Sequence, residues 1–304
     1  MKLSTHTLLG IGMVGWSFAS AAATAADPSD PAPSDPQPAA AAPAAASEPS
    51  RFHLTLGADV TSAYFFRGIR QEDSGFILQP YADLAMDVYR SDNATLSVKA
   101  GMWSSFHGES TAAATTDNFT KRWYECDLYA GVGLVTGKWS FDLRYTALTS
   151  PSDAFGTVDE IDFSVTFDDS ELLGAWSLKP TAMLVVEVGS NATDGARNGT
   201  YLQLGVSPGF TFDEGCLKDV SLTFPVTVGL SLGNYYESGD GENDAFGFAS
   251  VGAKAAVPLK LDPSWGAWTL TAGVQALFLG DAARDFNEDH GTEFIGTIGV
   301  SVSF

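Results

Sequence analysis

Hydrophobic and polar residues alternate along the last thirteen residues of the chain, TEFIGTIGVSVSF at positions 292–304. Apolar residues from Phe294 to Phe304 occupy the even positions, while the odd positions from Glu293 to Ser303 are mostly polar. A period of two is typical of a β-strand with one apolar face and one polar face. This stretch therefore predicts an amphipathic strand that ends on the aromatic Phe304.

Alternation of this kind continues through most of the chain. The alternating segments are 51–64, 76–90, 94–106, 122–136, 138–148, 157–168, 175–188, 199–212, 218–232, 245–257, 266–280 and 292–304. Their connections are long and short in turn, for example 65–75 followed by 91–93. An even number of strands with long loops at one end and short turns at the other is typical of a membrane β-barrel, whereas a soluble sandwich gives loop length no reason to alternate. The predicted fold is all-β: a single transmembrane antiparallel up-and-down β-barrel of about 12 strands over residues 51–304.

Charged residues in these segments fall on one parity. In segment 138–148, Phe141 and Leu143 share one parity, while Asp142 and Arg144 share the other. An Arg or Lys that faces lipid at the middle of a bilayer costs about 2–4 kcal/mol, so the charged parity should face the lumen. Glu160 and Glu187 have this parity too. The residues that we expect to line the lumen are Asp59, Arg67, Asp83, Asp87, Lys99, Glu125, Asp127, Asp142, Arg144, Asp162, Lys179 and Lys254.

Aromatic residues cluster near the segment ends, where rings with a polar edge favour the membrane interface. We expect one girdle near the long loops and a second near the short turns. The first comprises Tyr64, Phe66, Phe76, Phe106, Tyr124, Tyr201, Tyr235 and Phe278, and the second Phe52, Tyr89, Trp139, Trp176, Trp268 and Phe304.

Four prolines, Pro80, Pro180, Pro208 and Pro225, lie inside predicted segments. Proline has no backbone N–H and so removes one hydrogen bond from a strand ladder. We expect a bulge or a ladder break at each of them.

Two segments of different composition precede the predicted barrel. Lys2, the apolar run 8–18 and the small residues 23–25 predict a secretory signal peptide over residues 1–26, with an N-terminal anchor as the alternative. Residues 27–50 are rich in Pro, Ala and Ser and predict a disordered linker in the periplasm. This linker is either a spacer towards another envelope layer or a dispensable N-terminus.

Composition excludes several classes of function. The chain has 304 residues and a formal charge of −21, which argues against nucleic acid as a partner. Past residue 26, no apolar run reaches the roughly 18–20 residues of a membrane helix. Cys126 and Cys216 are too few for a disulfide scaffold, and the predicted topology places them on the order of 25 Å apart, so both should be unpaired.

No catalytic, metal or cofactor site is predicted. The four histidines, His6, His53, His107 and His290, have no ligand spacing. Only His107 and His290 fall on the long-loop side, and neither belongs to a strand-borne His-x-Ser pair of the kind that barrel hydrolases use. We therefore expect that the protein is not an enzyme.

The stretch 60–84, VTSAYFFRGIRQEDSGFILQPYADL, contains Ser62-x-Tyr64-x-Phe66-Arg67-Gly68-Ile69-x-Gln71 and resembles the opening hairpin of the TorF-type porin family. Residues 99–105, KAGMWSS, resemble the next strand of that family, and the resemblance covers roughly residues 54–106. Arg70 departs from the family pattern, which has a small hydroxyl residue before the glutamine. The resemblance implies a channel in the bacterial outer membrane, and it bears on location more than on mechanism.

The closing strand is similar to that of bacterial outer-membrane barrels, in which the terminal aromatic residue serves as the assembly signal. This likeness implies that outer-membrane lipid surrounds the protein and that the barrel-assembly machinery binds the strand ending in Phe304. It leaves the oligomeric state open.

Acidic residues outnumber basic residues at the predicted lumen positions and in the long loops. A cavity mouth of one sign concentrates counter-ions, so we expect a porin-like channel for passive diffusion of small hydrophilic solutes, with a preference for cations. A non-conducting structural or adhesion barrel with partner-binding loops is the alternative, and a lumen plugged by Arg67, Arg144 and Lys254 paired with acids would favour it. Arg67 could pair with Asp83 or another carboxylate, or contact a solute. A soluble β-sandwich is the third interpretation.

Overall fold

The computed structural model describes residues 50–108, 119–194, 197–237 and 241–304. The predicted signal peptide at 1–26 and the linker at 27–50, except Ser50, lie outside the described residues. The described strands are β1 (Phe52–Thr61), β2 (Tyr64–Phe66), β3 (Ile69–Glu72), β4 (Ile77–Arg90), β5 (Ala94–His107), β6 (Trp123–Thr136), β7 (Trp139–Thr149), β8 (Val158–Phe167), β9 (Thr181–Glu187), β10 (Thr200–Val206), β11 (Gly209–Thr211), β12 (Ser221–Thr223), β13 (Val226–Gly233), β14 (Phe246–Leu259), β15 (Ala267–Leu279) and β16 (Thr292–Ser303). The connections in the described ranges contain two short helices, α1 (Ser170–Leu173) and α2 (Asp281–Asp285), and 3-10 turns at Phe119–Arg122, Gly174–Trp176, Gly215–Leu217 and Pro263–Trp265.

All strands except β2 and β3 belong to one closed antiparallel sheet. Each barrel strand pairs with its neighbours in the chain, and the ring closes between β1 and β16, from Thr55 opposite Ser303 to Thr61 opposite Thr297. Because β10 with β11, and β12 with β13, are each one interrupted strand, the barrel has twelve strands. The predicted up-and-down barrel is confirmed, and the sandwich interpretation is wrong.

The interruptions coincide with the prolines. Pro208 separates β10 from β11 and Pro225 separates β12 from β13, yet the register of the strand pair is the same on both sides of the break. Pro80 lies in β4 where the ladder to β5 skips from Leu78 to Tyr81. Pro180 stands immediately before β9. Pro80, Pro208 and Pro225 thus break the ladder as predicted for proline in a sheet, whereas Pro180 precedes its strand and its carbonyl still accepts a hydrogen bond from the Phe167 N–H at 3.0 Å.

One predicted strand begins later than expected. Segment 175–188 was predicted to be extended throughout, but β9 begins only at Thr181. The residues before it form α1 and a 3-10 turn, which the buried carboxylate of Asp169 holds together by accepting hydrogen bonds from Ser177 Oγ at 2.6 Å and from the backbone N–H of Lys179 at 3.0 Å. Lys179 therefore lies in a turn with φ of +50°, outside the strand on which it was predicted to face the lumen.

The outward parity of the barrel strands is apolar. On β7, Leu143 and Tyr145 are 48% and 49% exposed, whereas Arg144 between them is buried. Away from the strand ends, none of the described barrel residues of this parity is charged. So large an exposed apolar surface requires a lipid environment. The exposed aliphatic and aromatic residues that form this belt include Leu56, Leu84, Val98, Leu128, Val132, Leu143, Phe163, Leu204, Val251, Leu270, Val274 and Ile298.

The connections divide the barrel into two ends. The long-loop end carries the connections that follow β1, β5, β7, β9, β13 and β15, and the short-turn end carries the others together with residue 304. No helix in the described ranges is long and apolar enough to cross a membrane.

Candidate functional site: the lumen and its inserted hairpin

A small hairpin folds into the barrel from the long-loop end. It consists of β2, the two-residue turn Arg67-Gly68 and β3. Both turn residues have positive φ, +48° and +86°, which is the backbone of the tight hairpin turns that favour glycine. At Gly68, an added Cβ would lie 2.9 Å from the ring of Phe248, so the chain approaches the wall more closely than a larger residue allows.

The hairpin reaches opposite walls of the lumen. The hydroxyl of Tyr64 donates to Glu125 on β6 at 2.7 Å, and the Tyr64 ring lies 5.3 Å from that of Trp103 on β5. On the far side, Gly68 contacts Phe248 on β14. Strand β14 is six strands from β6 in either direction round the ring. The hairpin therefore crosses the whole lumen.

Apolar side chains fill the space around the hairpin in the long-loop half. Tyr64 and Phe66 pack against one buried cluster, and Phe65 and Ile69 pack against another. The wall residues of the two clusters are Ile77, Trp103, Leu148 and Val158 in the first, and Val185, Tyr201, Tyr235, Tyr236, Phe248, Leu277, Leu279, Ala282 and Ala283 in the second. In this half the barrel interior is built like the core of a soluble protein.

Arg67 at the hairpin tip is paired with a buried carboxylate. Its two terminal nitrogens donate to the two oxygens of Glu160 on β8 at 2.6 and 2.8 Å, and one of them also donates to the hydroxyl of Tyr235 at 2.6 Å. Burial removes water from the guanidinium of Arg67, and direct pairing with the Glu160 carboxylate compensates for that loss. The two-pronged geometry is the strongest form of an arginine–carboxylate pair.

Further contacts surround the same guanidinium. The rings of Tyr201 and Tyr235 lie 4.9 and 5.5 Å from its central carbon, and the hairpin's own Phe66 lies at 4.6 Å. The hydroxyl of Tyr236 donates to the carbonyl of Arg67 at 2.6 Å and fixes the backbone of the turn. Arg67 is thus held by charge, ring faces and main-chain contact together.

A layer of buried charges lies at this depth. Arg144 donates to Asp162 Oδ2 through two nitrogens at 2.8 and 2.7 Å, and Thr146 donates to the same oxygen at 2.9 Å. The other oxygen of Asp162 has no hydrogen-bond partner among the described residues. The acids of the layer, Glu125, Asp127, Glu160, Asp162 and Glu187, outnumber its bases, Arg67 and Arg144.

The short-turn half of the lumen is lined differently. Lys99 pairs with Asp142, and their side chains keep 19% and 18% of their surface exposed. Asp87 accepts hydrogen bonds from Ser97 at 2.6 Å and Arg90 at 2.7 Å near the turn. Between these pairs the wall presents half-buried small polar residues, which are Thr55, Ser140, Ser164, Thr166, Thr181, Thr211, Thr223, Thr269, Thr271, Ser301 and Ser303.

The predicted lumen residues are distributed over all of these regions. Arg67 lies on the hairpin and pairs with Glu160 rather than with Asp83, which instead accepts from the Tyr129 hydroxyl. Lys179 lies in the turn before β9. The other predicted residues occupy inward-facing strand positions; they are Asp59, Asp83, Asp87, Lys99, Glu125, Asp127, Asp142, Arg144, Asp162 and Lys254.

The predicted aromatic girdle at the long-loop end is partly wrong. Tyr64, Phe66, Tyr201 and Tyr235 are buried inside the barrel instead of facing the membrane interface. Tyr124, which was predicted for the same girdle, stacks on His107 and donates a hydrogen bond to Gln71 of the hairpin. An aromatic residue near a strand end can face either the membrane interface or the lumen, and its parity along the strand indicates which of the two it faces. Apolar residues at the inward positions of the long-loop half, such as Trp103 on β5, were the signal that could have predicted a filled interior.

A buried Ser–His–Glu arrangement, which the sequence pattern did not predict, lies beneath the hairpin. Ser105 Oγ is 3.0 Å from His107 Nε2, and His107 Nδ1 is 3.8 Å from Glu72 Oε2. The order of the two residues along the strand is Ser-x-His, the reverse of the His-x-Ser order that barrel hydrolases use. Ser105 is fully buried, and the ring of His107 stacks on Tyr124 with centroids 4.5 Å apart, so the group joins the hairpin to the wall and presents no accessible nucleophile.

The described residues contain neither a metal-ligand cluster nor a disulfide. In the described ranges, no group of three or more His, Cys, Asp or Glu residues could hold a metal ion. Cys126 is buried and Cys216 is exposed, and both are free.

No protein-family model matches the chain, and no curated protein is similar to it in sequence. Among solved structures, the chain is similar to the COG4313 outer membrane channel from Pseudomonas putida F1, with 11% identity over 85% of this chain and 97% of that one and a TM-score of 0.46. It is also similar to Salmonella typhi OmpF in complex with daunomycin (10% identity, 83% and 97% covered, TM-score 0.36) and to the NanC porin (11% identity, 82% and 98% covered, TM-score 0.38). Similarities at this level assign neither a family nor a function.

Proposed function

We propose that this protein is an outer-membrane channel for small hydrophilic solutes and that the β2–β3 hairpin closes it at the long-loop end, which faces the cell exterior. One observation carries the proposal. The element that fills the lumen is a separate two-stranded sheet, paired with none of the barrel strands. The hairpin can therefore leave the lumen without breaking a hydrogen bond of the barrel ladder.

The charge balance supports a preference for cations. Five acids face two bases in the buried layer, and the whole chain carries a formal charge of −21. When the hairpin moves outward, Arg67 leaves with it and the layer becomes more negative. A narrow passage of one sign concentrates ions of the opposite sign.

A second candidate is a non-conducting barrel whose loops bind partners. The apolar clusters of the long-loop half favour it, as do the pairs that Arg67 and Arg144 make with buried carboxylates. In that case the hairpin is a permanent part of the core.

Conductance in planar bilayers distinguishes the two candidates. The variant to compare with the natural protein replaces residues 64–72 by nine Gly and Ser residues. The channel proposal predicts stepwise, cation-selective currents for this variant and rare or brief openings for the natural chain. Heat-modifiable mobility on gels verifies that the variant is folded. A folded variant that passes no current favours the non-conducting barrel. A current without cation selectivity would contradict the proposed preference for cations but not the proposed channel.

We also propose how the chain reaches the membrane. Residues 1–26 direct export, residues 27–50 remain as a periplasmic linker, and the strand ending in Phe304 engages the barrel-assembly machinery. Phe304 is 59% exposed, although its backbone N–H donates to Leu54 at 2.9 Å. Mass spectrometry of the mature protein should give an N-terminus at residue 27. Phe304→Ala should reduce the amount of folded barrel in cells while leaving refolding of the purified chain unchanged.

A further inference from the structure

The groups that hold the Arg67 guanidinium belong mainly to the barrel wall. Glu160 and Asp162 come from β8, Tyr201 comes from β10, and Tyr235 comes from the connection that follows β13. Together these four residues form what we call the guanidinium cage. Arg67 enters it from the hairpin, so the barrel wall supplies the cage and the hairpin supplies its occupant.

The cage has the chemistry of a guanidinium site. Glu160 offers two oxygens to the two terminal nitrogens of the guanidinium, at 2.6 and 2.8 Å. Tyr235 offers a hydroxyl oxygen at 2.6 Å, and the rings of Tyr201 and Tyr235 face the cation at 4.9 and 5.5 Å. A planar guanidinium meets the paired oxygens and the ring faces simultaneously, whereas a compact ammonium group acts as a point charge.

The cage also needs a cation for electrostatic reasons. Glu160 is 1% exposed and Asp162 is 3% exposed; Arg67 pairs with Glu160, and Arg144 pairs with Asp162. Leaving a carboxylate buried without a partner is strongly unfavourable. Asp162 Oδ1 accepts no hydrogen bond from the described part of the chain and lies 4.0 Å from an Arg67 nitrogen, so it is an acceptor available to the occupant.

We propose that the guanidinium cage is a binding site for solutes that carry a guanidinium group, and that Arg67 occupies it as an internal mimic of the solute when the hairpin is closed. This inference rests on the proposed function in one respect, because the hairpin must leave the cage for a solute to enter. Solute and hairpin then compete for one site, and a solute that binds only the vacant cage shifts the population towards the open hairpin.

Thermal unfolding of the detergent-solubilised Arg67→Ala barrel tests the inference without measuring transport. Methylguanidinium chloride is the probe, methylammonium chloride is the control cation, and ionic strength is held constant with NaCl. Arg67→Ala should be stabilised by methylguanidinium at a concentration on the order of tenfold lower than by methylammonium. Arg67→Ala/Glu160→Gln should lose this preference. Arg70→Ala keeps Arg67 in the cage and should show no response at the same concentrations.

The inference is overturned if methylguanidinium and methylammonium stabilise Arg67→Ala equally. It is also overturned if the double variant Arg67→Ala/Glu160→Gln keeps the preference for methylguanidinium. Should Arg67→Ala fail to fold, the barrel with residues 64–72 replaced presents the same vacant cage for the same titration. Failure of the channel proposal has a different signature: the replaced barrel passes no current but can still bind the probe.

Discussion

The strands alternate between outward apolar and inward residues in both halves of the lumen, but the inward residues are mainly apolar in one half and mainly polar in the other. In the long-loop half the inward residues include Trp103 and Phe248, and the hairpin fills the space between them. In the short-turn half the inward residues include Thr269 and Ser301, and charged pairs such as Lys99 with Asp142 remain partly exposed. Lipid fixes the outward parity over the whole height of the barrel, because an outward charge is costly. The type of residue that faces inward depends on whether the hairpin or water fills the lumen at that depth. An inward position is therefore not always exposed to water.

The largest expected effect of a single substitution is in the filled half. Trp103 is 1% exposed and packs against Tyr64 of the hairpin. Trp103→Ala should lower the free energy of unfolding by about 3–5 kcal/mol, because it leaves a cavity. The matched change in the other half, Thr271→Ala, should cost no more than about 0.5 kcal/mol. Urea titration of the barrel in lipid vesicles measures both, and equal costs would remove the distinction between the halves.

A comparable effect is expected at the buried ion pair. Glu160→Gln leaves the Arg67 charge without its main partner, which costs about 3–5 kcal/mol for a buried pair. Asp142→Asn, in the short-turn half, should cost about 0–1 kcal/mol, because its pair with Lys99 is partly exposed. Trypsin cleavage after Arg67 and Arg70 reports how often the hairpin leaves the lumen. The rate should rise by about two orders of magnitude in Glu160→Gln and remain unchanged in Asp142→Asn.

A smaller effect is expected at the turn that replaces the first part of β9. Asp169 accepts hydrogen bonds there from Ser177 and from the N–H groups of Leu178 and Lys179. Burial alone would raise the pKa of Asp169, but these donors outweigh it and lower the pKa. Asp169→Ala should therefore cost about 1–3 kcal/mol at neutral pH.

The sign of the pH dependence follows from that lowered pKa. The contribution of Asp169 is fully present above its ordinary pKa of about 3.9 and disappears as the pH falls through the lower folded value. The difference in unfolding free energy between the natural protein and Asp169→Ala should shrink on acidification below about pH 4. A difference that grows over the same interval would contradict the assignment.

The smallest effect is expected at Arg70, three residues from Arg67 on the same hairpin. Its partners Asp73 and Glu288 are exposed, at 2.9 and 3.0 Å. Exposed pairs contribute about 0–1 kcal/mol, so Arg70→Ala should leave both stability and conductance nearly unchanged. A loss as large as that of Glu160→Gln would mean that the loop contacts at the rim, and not the cage, hold the hairpin in place.

Much of the barrel could be predicted from sequence because lipid imposes a strict two-residue period. The predicted segment 122–136 corresponds to β6 at Trp123–Thr136, and the predicted ladder breaks occur at Pro80, Pro208 and Pro225. The start of β9 could not be predicted, because Asp169 stabilises a turn through local hydrogen bonds that interrupt the strand.

The hairpin is a harder case for prediction. The pairing of Arg67 with Glu160 joins residues 93 positions apart, and it depends on which walls the hairpin reaches. Alternation assigns Glu160 to the inward face but contains no information about its partner. The apolar inward residues of the long-loop half indicate that something must cover them, and only the fold identifies the hairpin as the cover.

The most direct test of the two-part lumen is the accessibility of single cysteines to a small charged methanethiosulfonate reagent. In a background with Cys126→Ala and Cys216→Ser, Thr146→Cys probes the buried layer and Thr271→Cys probes the short-turn half. Thr146 is 1% exposed, whereas Thr271 is half-buried. We predict rapid modification at position 271, little at position 146, and rapid modification at 146 once residues 64–72 are replaced by Gly and Ser. Equal and rapid modification at both positions in the otherwise natural protein would contradict the account.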